Sequence, residues 1–160
     1  MKDAGAKAPA AGVLVVGYGN ALRGDDGLGP RAAERIATDP RLRGAEILAL
    51  HQLTPEVAAD MRDASLVVLV DARAGDEPGA ITVRRVDASC EPTSAPSHHV
   101  EPAALAGLAR ELWGATPEVC AVTVGAASFD GGEHLSPAVE RALPGVVDAV
   151  AAIVADHRHA

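Results

Sequence analysis

Apolar residues in this chain fall into short runs separated by polar bends, and the period of the runs alternates. Val13-Leu-Val-Val16 leads straight into Gly17-Tyr-Gly19 and a polar bend. Consecutive apolar residues of this kind, mostly β-branched, predict a buried parallel strand ending in a sharp turn. Leu28, Ala32 and Ile36 then recur every fourth position, which predicts a helix with one apolar face. Glu46 to Leu50 reads as a short strand. Thr54 is placed to cap a helix that opens on Pro55 and runs to about Arg62. Leu66 to Val70 is the most apolar segment and ends at Asp71, as a central buried strand would. A polar turn over 75–79 precedes Ile81 to Val86, a strand whose charges suit a sheet edge. Residues 87–97 form a loop. Leu105, Leu108 and Leu112 mark a helix, Glu118 to Val124 the last strand, and Ser136 is expected to cap the final helix, with Pro137 at its first position. Pro144 is expected to kink or split that helix.

Strands that alternate with helices imply a three-layer α/β/α single domain with a mostly parallel, about five-stranded twisted sheet. The expected boundaries are a disordered tail over 1–12, the domain over 13–156 and a frayed end over 157–160. His157 and His159 are read as solvated there.

Composition narrows the function classes. The net charge of -8 argues against a nucleic-acid surface. No run of about 18 apolar residues is present, so no membrane span is expected. The leader through Gly12 lacks the apolar centre of a signal peptide. Cys90 and Cys120 show no metal-like spacing and read as ordinary thiols of a reducing, cytoplasmic protein.

Candidate chemistry gathers at the carboxyl ends of the strands, where open α/β sheets place their sites. Gly17-Tyr-Gly19 begins like a dinucleotide fingerprint, but Leu22 stands where the third glycine belongs, and Asp25 and Asp26 would repel a phosphate. No nucleotide cofactor is expected. If the topology holds, Asp25 and Asp26, Asp71, and His98 with His99 share one rim. Carboxylates and imidazole together suit a divalent ion of borderline softness such as nickel or zinc. Asp71 has a local alternative, capping a turn or pairing with Arg73. The chain carries neither the His-Glu-x-x-His of zinc proteases nor a Gly-x-Ser-x-Gly elbow.

Several ordered motifs resemble the hydrogenase maturation endopeptidases, which process the large subunit of nickel-iron hydrogenases. They are Gly17-Tyr-Gly-Asn20 with Leu22, Asp25-Asp-Gly-Leu-Gly29, Leu66-Val-Val-Leu-Val-Asp-Ala72, Ser97-His-His99 and Leu135-Ser-Pro137. The resemblance runs from Val13 nearly to the carboxyl end.

This resemblance implies a site made of Asp26, Asp71 and His99, with Asp26 and Asp71 as the catalytic candidates and all three as ligands. Asp26 is taken because the family uses the second acid of the pair, and His99 because a variable residue, here His98, separates it from the serine. The implied activity is removal of a carboxyl-terminal extension from a nickel-loaded hydrogenase large-subunit precursor. Nickel belongs to that substrate and is bound transiently as the recognition element. The implied partner is the precursor, met by a monomer without nucleic acid or membrane. The alternative is a non-proteolytic, nickel-sensing or chaperone-like protein of hydrogenase assembly. One departure stands out: His51-Gln-Leu-Thr54 replaces the family's Asp-Gly-Thr type of segment, with His51 either near the cleft or merely ending a strand.

Overall fold

Alternation along the central strands sends side chains into two separate layers, and each layer has its own helices. The structure, a computed structural model, describes residues 12–89, 100–130 and 132–160. Five strands, β1 (Val13–Tyr18), β2 (Glu46–Leu50), β3 (Leu66–Arg73), β4 (Ile81–Arg85) and β5 (Glu118–Gly125), form one sheet in the order β2-β1-β3-β5-β4. All neighbours pair in parallel except β4, which runs antiparallel along β5 as an exposed edge. The α/β/α architecture expected from the sequence is the one observed.

On one face, Val13, Val15, Leu66, Val68, Val70, Val122 and Val124 pack against α1 (Leu28–Ala37) and α4 (Pro137–Arg158). On the other, Leu14, Val16, Val67, Leu69, Val119 and Ala121 meet α2 (Val57–Asp60) and α3 (Pro102–Trp113). With both faces covered, Val13 to Val16 of β1 and Leu66 to Val70 of β3 are apolar at every position, which is why they read as unbroken runs. Gly17 and Gly29 let α1 cross β1 in backbone contact: a Cβ on Gly17 would lie 2.1 Å from the Gly29 carbonyl oxygen. Among the described residues no helix is long and apolar enough to cross a membrane.

Several local expectations are corrected. The helix expected over 55–62 is only the short α2, because the N–H groups of Val57, Ala58 and Ala59 bond back three residues, to Thr54, Pro55 and Glu56. The Thr54 hydroxyl interacts with Glu56 and caps nothing. Of the kink or split expected at Pro144, the split does not occur, since Leu143, Val146 and Val147 are buried around it and hold both halves to the sheet. The expected frayed end instead stays helical through Arg158. His157 Nε2 lies 2.9 Å from Ser65 Oγ and its Nδ1 3.2 Å from Glu118 Oε1, tying α4 to the starts of β3 and β5. Finally, β3 runs past Asp71 to Arg73, which places Asp71 inside the ladder opposite Thr123. Cys120 is a buried free thiol, while Cys90 and residues 1–11 of the expected tail lie outside the described residues.

Candidate active site

The turn after β1 is held by hydrogen bonds around Asn20 and by the close approach that Gly19 allows. Asn20 accepts from the Leu22 N–H at 2.9 Å through its side chain, and its own N–H donates to Asp26 Oδ2 at 2.8 Å. Gly19, at φ +146, lets the chain fold back so closely that a Cβ would lie 1.9 Å from the Asp26 carbonyl oxygen. A 3-10 turn, Gly24–Gly27, then carries Asp25 and Asp26 into α1.

These adjacent acids have opposite fates. Asp25 is 0% exposed, whereas the Asp26 side chain is 22% exposed. Asp25 Oδ2 accepts from the Ala127 N–H at 2.8 Å, the Ser128 N–H at 3.1 Å and the Ser136 hydroxyl at 2.9 Å, and Oδ1 accepts from the Ser136 N–H at 2.6 Å. Burial pushes its pKa up, but the bonds from Ser136, Ala127 and Ser128 outweigh burial and hold it below the ordinary value. Ser136 does occupy the N-cap of α4, yet its side chain serves Asp25 and does not cap the helix.

Asp25 is therefore a structural clamp between the first turn and the last helix. Asp25→Asn should cost about 2–3 kcal/mol at pH 7, because an amide cannot accept all four donors. The wild-type advantage is present above the unfolded carboxylate pKa, about 4, and is lost as pH falls through the depressed folded value. Urea unfolding at pH 7 and pH 3 should therefore show the two proteins converging in acid.

Across the carboxyl ends of the three central strands runs a polar row: Tyr18 on β1, Asp71 on β3 and Thr123 on β5. Strand alternation places all three on the face of α2 and α3, since Val16, Leu69 and Ala121 two residues earlier lie there. Burial, then the charge of Asp26, pushes the Asp71 pKa up to about 7; a bond from the Ala72 N–H and an interaction with the Tyr18 hydroxyl oppose this, and Glu101 adds to it. Burial, with Asp71 beside it, pushes the Tyr18 phenol far above its ordinary value. Asp26 and Asp71 thus sit close enough for the charge of one to raise the pKa of the other, the perturbation that two carboxylates sharing a site produce.

Of the residues expected on this rim, Asp26 and Asp71 come together; His98 and His99 lie outside the described residues. Among the described residues no group of three His, Cys, Asp or Glu side chains is arranged to hold a metal ion. His51 is exposed, just past β2. Sequence reasoning passed over Tyr18, Glu101 and Thr123. The strand register was the available signal for Thr123, but only if β5 was known to lie beside β3.

This geometry invites comparison with known structures. HybD, a hydrogenase maturating endopeptidase from E. coli, superimposes with a TM-score of 0.76 at 25% identity over 91% of this chain and 93% of that one. The structure matches the hydrogenase maturation proteases. The hydrogenase 2 maturation peptidase from Thaumarchaeota archaeon SCGC_AB-539-E09 aligns at 25% identity over 89% of this chain and 97% of that one, with a TM-score of 0.68. The fold is shared as well by the [NiFe] hydrogenase maturation protease HycI of Thermococcus kodakarensis, at 21% identity, 89% and 91% coverage and a TM-score of 0.71. A scan against protein-family models and a search of the curated proteins found no match.

Proposed function

We propose that this protein is an endopeptidase of hydrogenase maturation that removes the carboxyl-terminal extension of a nickel-loaded large-subunit precursor. The observation that carries the reading is the electrostatically coupled pair Asp26 and Asp71, at the carboxyl edge of a sheet that has the fold of the maturation proteases. Nickel in this reading belongs to the substrate. Asp26 commits Oδ2 to the Asn20 N–H, and Asp71 is half-buried. His99 is the proposed third donor. A cation between the two carboxylates converts their repulsion into attraction, so the loaded precursor binds and the unloaded one does not. The bound ion polarises the scissile carbonyl or a water, with a carboxylate available as general base. The protein acts in this scheme as a cytoplasmic monomer that meets its precursor transiently.

The test is the intact mass of the cognate precursor, nickel-loaded and nickel-free, after incubation with the wild-type protein and with Asp26→Ala. The expected result is loss of one carboxyl-terminal peptide, from the loaded precursor only and with the wild-type protein only. Nickel-dependent binding without any mass change would replace the peptidase with a non-proteolytic nickel-sensing partner of assembly. Absence of both cleavage and binding would remove the whole reading.

A further inference from the structure

Thr123 is the one described residue with a buried side-chain polar atom that has no hydrogen-bond partner. The residue is 7% exposed, and a buried hydroxyl left without a partner costs on the order of 1–3 kcal/mol, so its presence here calls for a reason. Its position supplies one. Thr123 is the ladder partner of Asp71 on β5, and side chains of paired positions project from the same face of a parallel sheet. On its other flank Thr82 of β4 is opposite in register, yet Thr82 does not satisfy it.

Asp71 therefore stands between two hydroxyls and interacts with only one. Tyr18, on the β1 side, engages it in the free protein. Thr123, on the β5 side, is idle. Carboxylates that ligate an ion are themselves held by hydrogen bonds to the oxygen that does not ligate, and loss of such a bond weakens binding or activity 10–100-fold.

We propose that Thr123 is a positioning residue for Asp71, its hydroxyl donating to the Asp71 carboxylate when that group turns to engage the substrate's cation. This rests on the functional reading above. The hydroxyl is unsatisfied in the free protein and satisfied in the complex, so its bond adds to binding of the loaded precursor and to nothing else. Such differential stabilisation favours the complex without requiring any new contact to the substrate.

Thr123→Val keeps the shape and removes the hydroxyl; Thr123→Ser keeps the hydroxyl. Valine should raise the thermal midpoint of the free protein, because an unsatisfied group is removed. It should lower both nickel-dependent binding of the loaded precursor and kcat/KM for its cleavage by about tenfold. Serine should restore most of the binding and cleavage. A valine variant that binds and cleaves like wild type, or one that melts lower, overturns the assignment: the first shows the hydroxyl is not used, the second that it had a structural partner all along. If the wild-type protein neither binds nor cleaves the cognate loaded precursor, the functional reading fails and this assignment falls with it. Where the wild-type protein does either, the valine and serine variants decide the role of Thr123 on its own.

Discussion

Asp71→Asn is expected to make the free protein more stable while abolishing cleavage of the loaded precursor. The two effects share one cause. Burial and the charge of Asp26 push the Asp71 pKa from 3.8 up to about 7 in the fold. An unfolded chain restores the ordinary value, so ionised Asp71 opposes folding. Each pKa unit corresponds to about 1.4 kcal/mol; allowing for relaxation and partial solvent access, the neutral amide should gain about 2 kcal/mol. The sign follows from linkage: the folded state holds its proton more tightly, so the penalty is absent below the unfolded pKa, grows between about 4 and 7, and is complete above the folded value. Thermal unfolding in a chelating buffer should show little difference between the proteins at pH 4 and a clear gain for the variant at pH 8. Cleavage, followed by intact mass, should fall at least about 100-fold, since the variant lacks both a charged ligand and a base. Full cleavage by the variant would exclude a catalytic role for this carboxylate. A lower melting point at pH 8 would show that its charge is already compensated in the free protein.

Gly29→Ala is expected to damage the scaffold severely, although alanine is the better helix former. A Cβ at this position would lie 2.2 Å from the Tyr18 carbonyl oxygen and 2.5 Å from the Tyr18 nitrogen. Those atoms belong to a central strand paired on both sides, so they cannot yield as a flexible side chain would. Relief requires α1 to lift off β1, which opens the layer built on Leu28, Ala32 and Ile36. Overpacking of this severity exceeds the usual 1–3 kcal/mol, and a loss of about 4 kcal/mol or more is expected. Urea unfolding measures it directly. The site moves with the scaffold, because the same displacement carries the 3-10 turn that presents Asp26. A variant with unchanged stability would show that the helix stands farther from the strand than this structure places it.

Much of the architecture was legible in the chain. Unbroken apolar runs such as Leu66 to Val70 announce strands covered on both faces, and β2 begins and ends where its pattern does. Helix α1 starts at Leu28 and keeps Leu28, Ala32 and Ile36 buried on one face, as their spacing requires. Misreadings arose where packing overrode a local rule. Pro144 is expected to kink or split its helix, and of these the split does not occur, because buried neighbours on either side keep α4 continuous. Ser136 has the identity and place of a cap, but a buried carboxylate competes for its hydroxyl and wins. Thr54 and Pro55 look like the start of a longer helix, and the chain makes tight turns there before the short α2.

By itself the sequence determined the alternation of strands and helices, and so a covered parallel sheet with acidic residues at its carboxyl edge. These are properties of period and composition, which short stretches carry on their own. What only the tertiary structure decided is how the acids divide their work. Asp25 and Asp26 are neighbours of the same type, and nothing local separates them. Asp25 becomes a clamp because donors from residues 127, 128 and 136 converge on it from 102 to 111 positions away in the chain. Asp26 stays partly open and electrostatically coupled to Asp71 because the turn stops short of that enclosure. Thr123 acquires meaning only through the strand order, which sets β5 beside β3 and a partnerless hydroxyl beside Asp71. Hydrogen bonds and charge repulsion act through space over a few ångströms, and the chain brings those groups within range only once the sheet has formed.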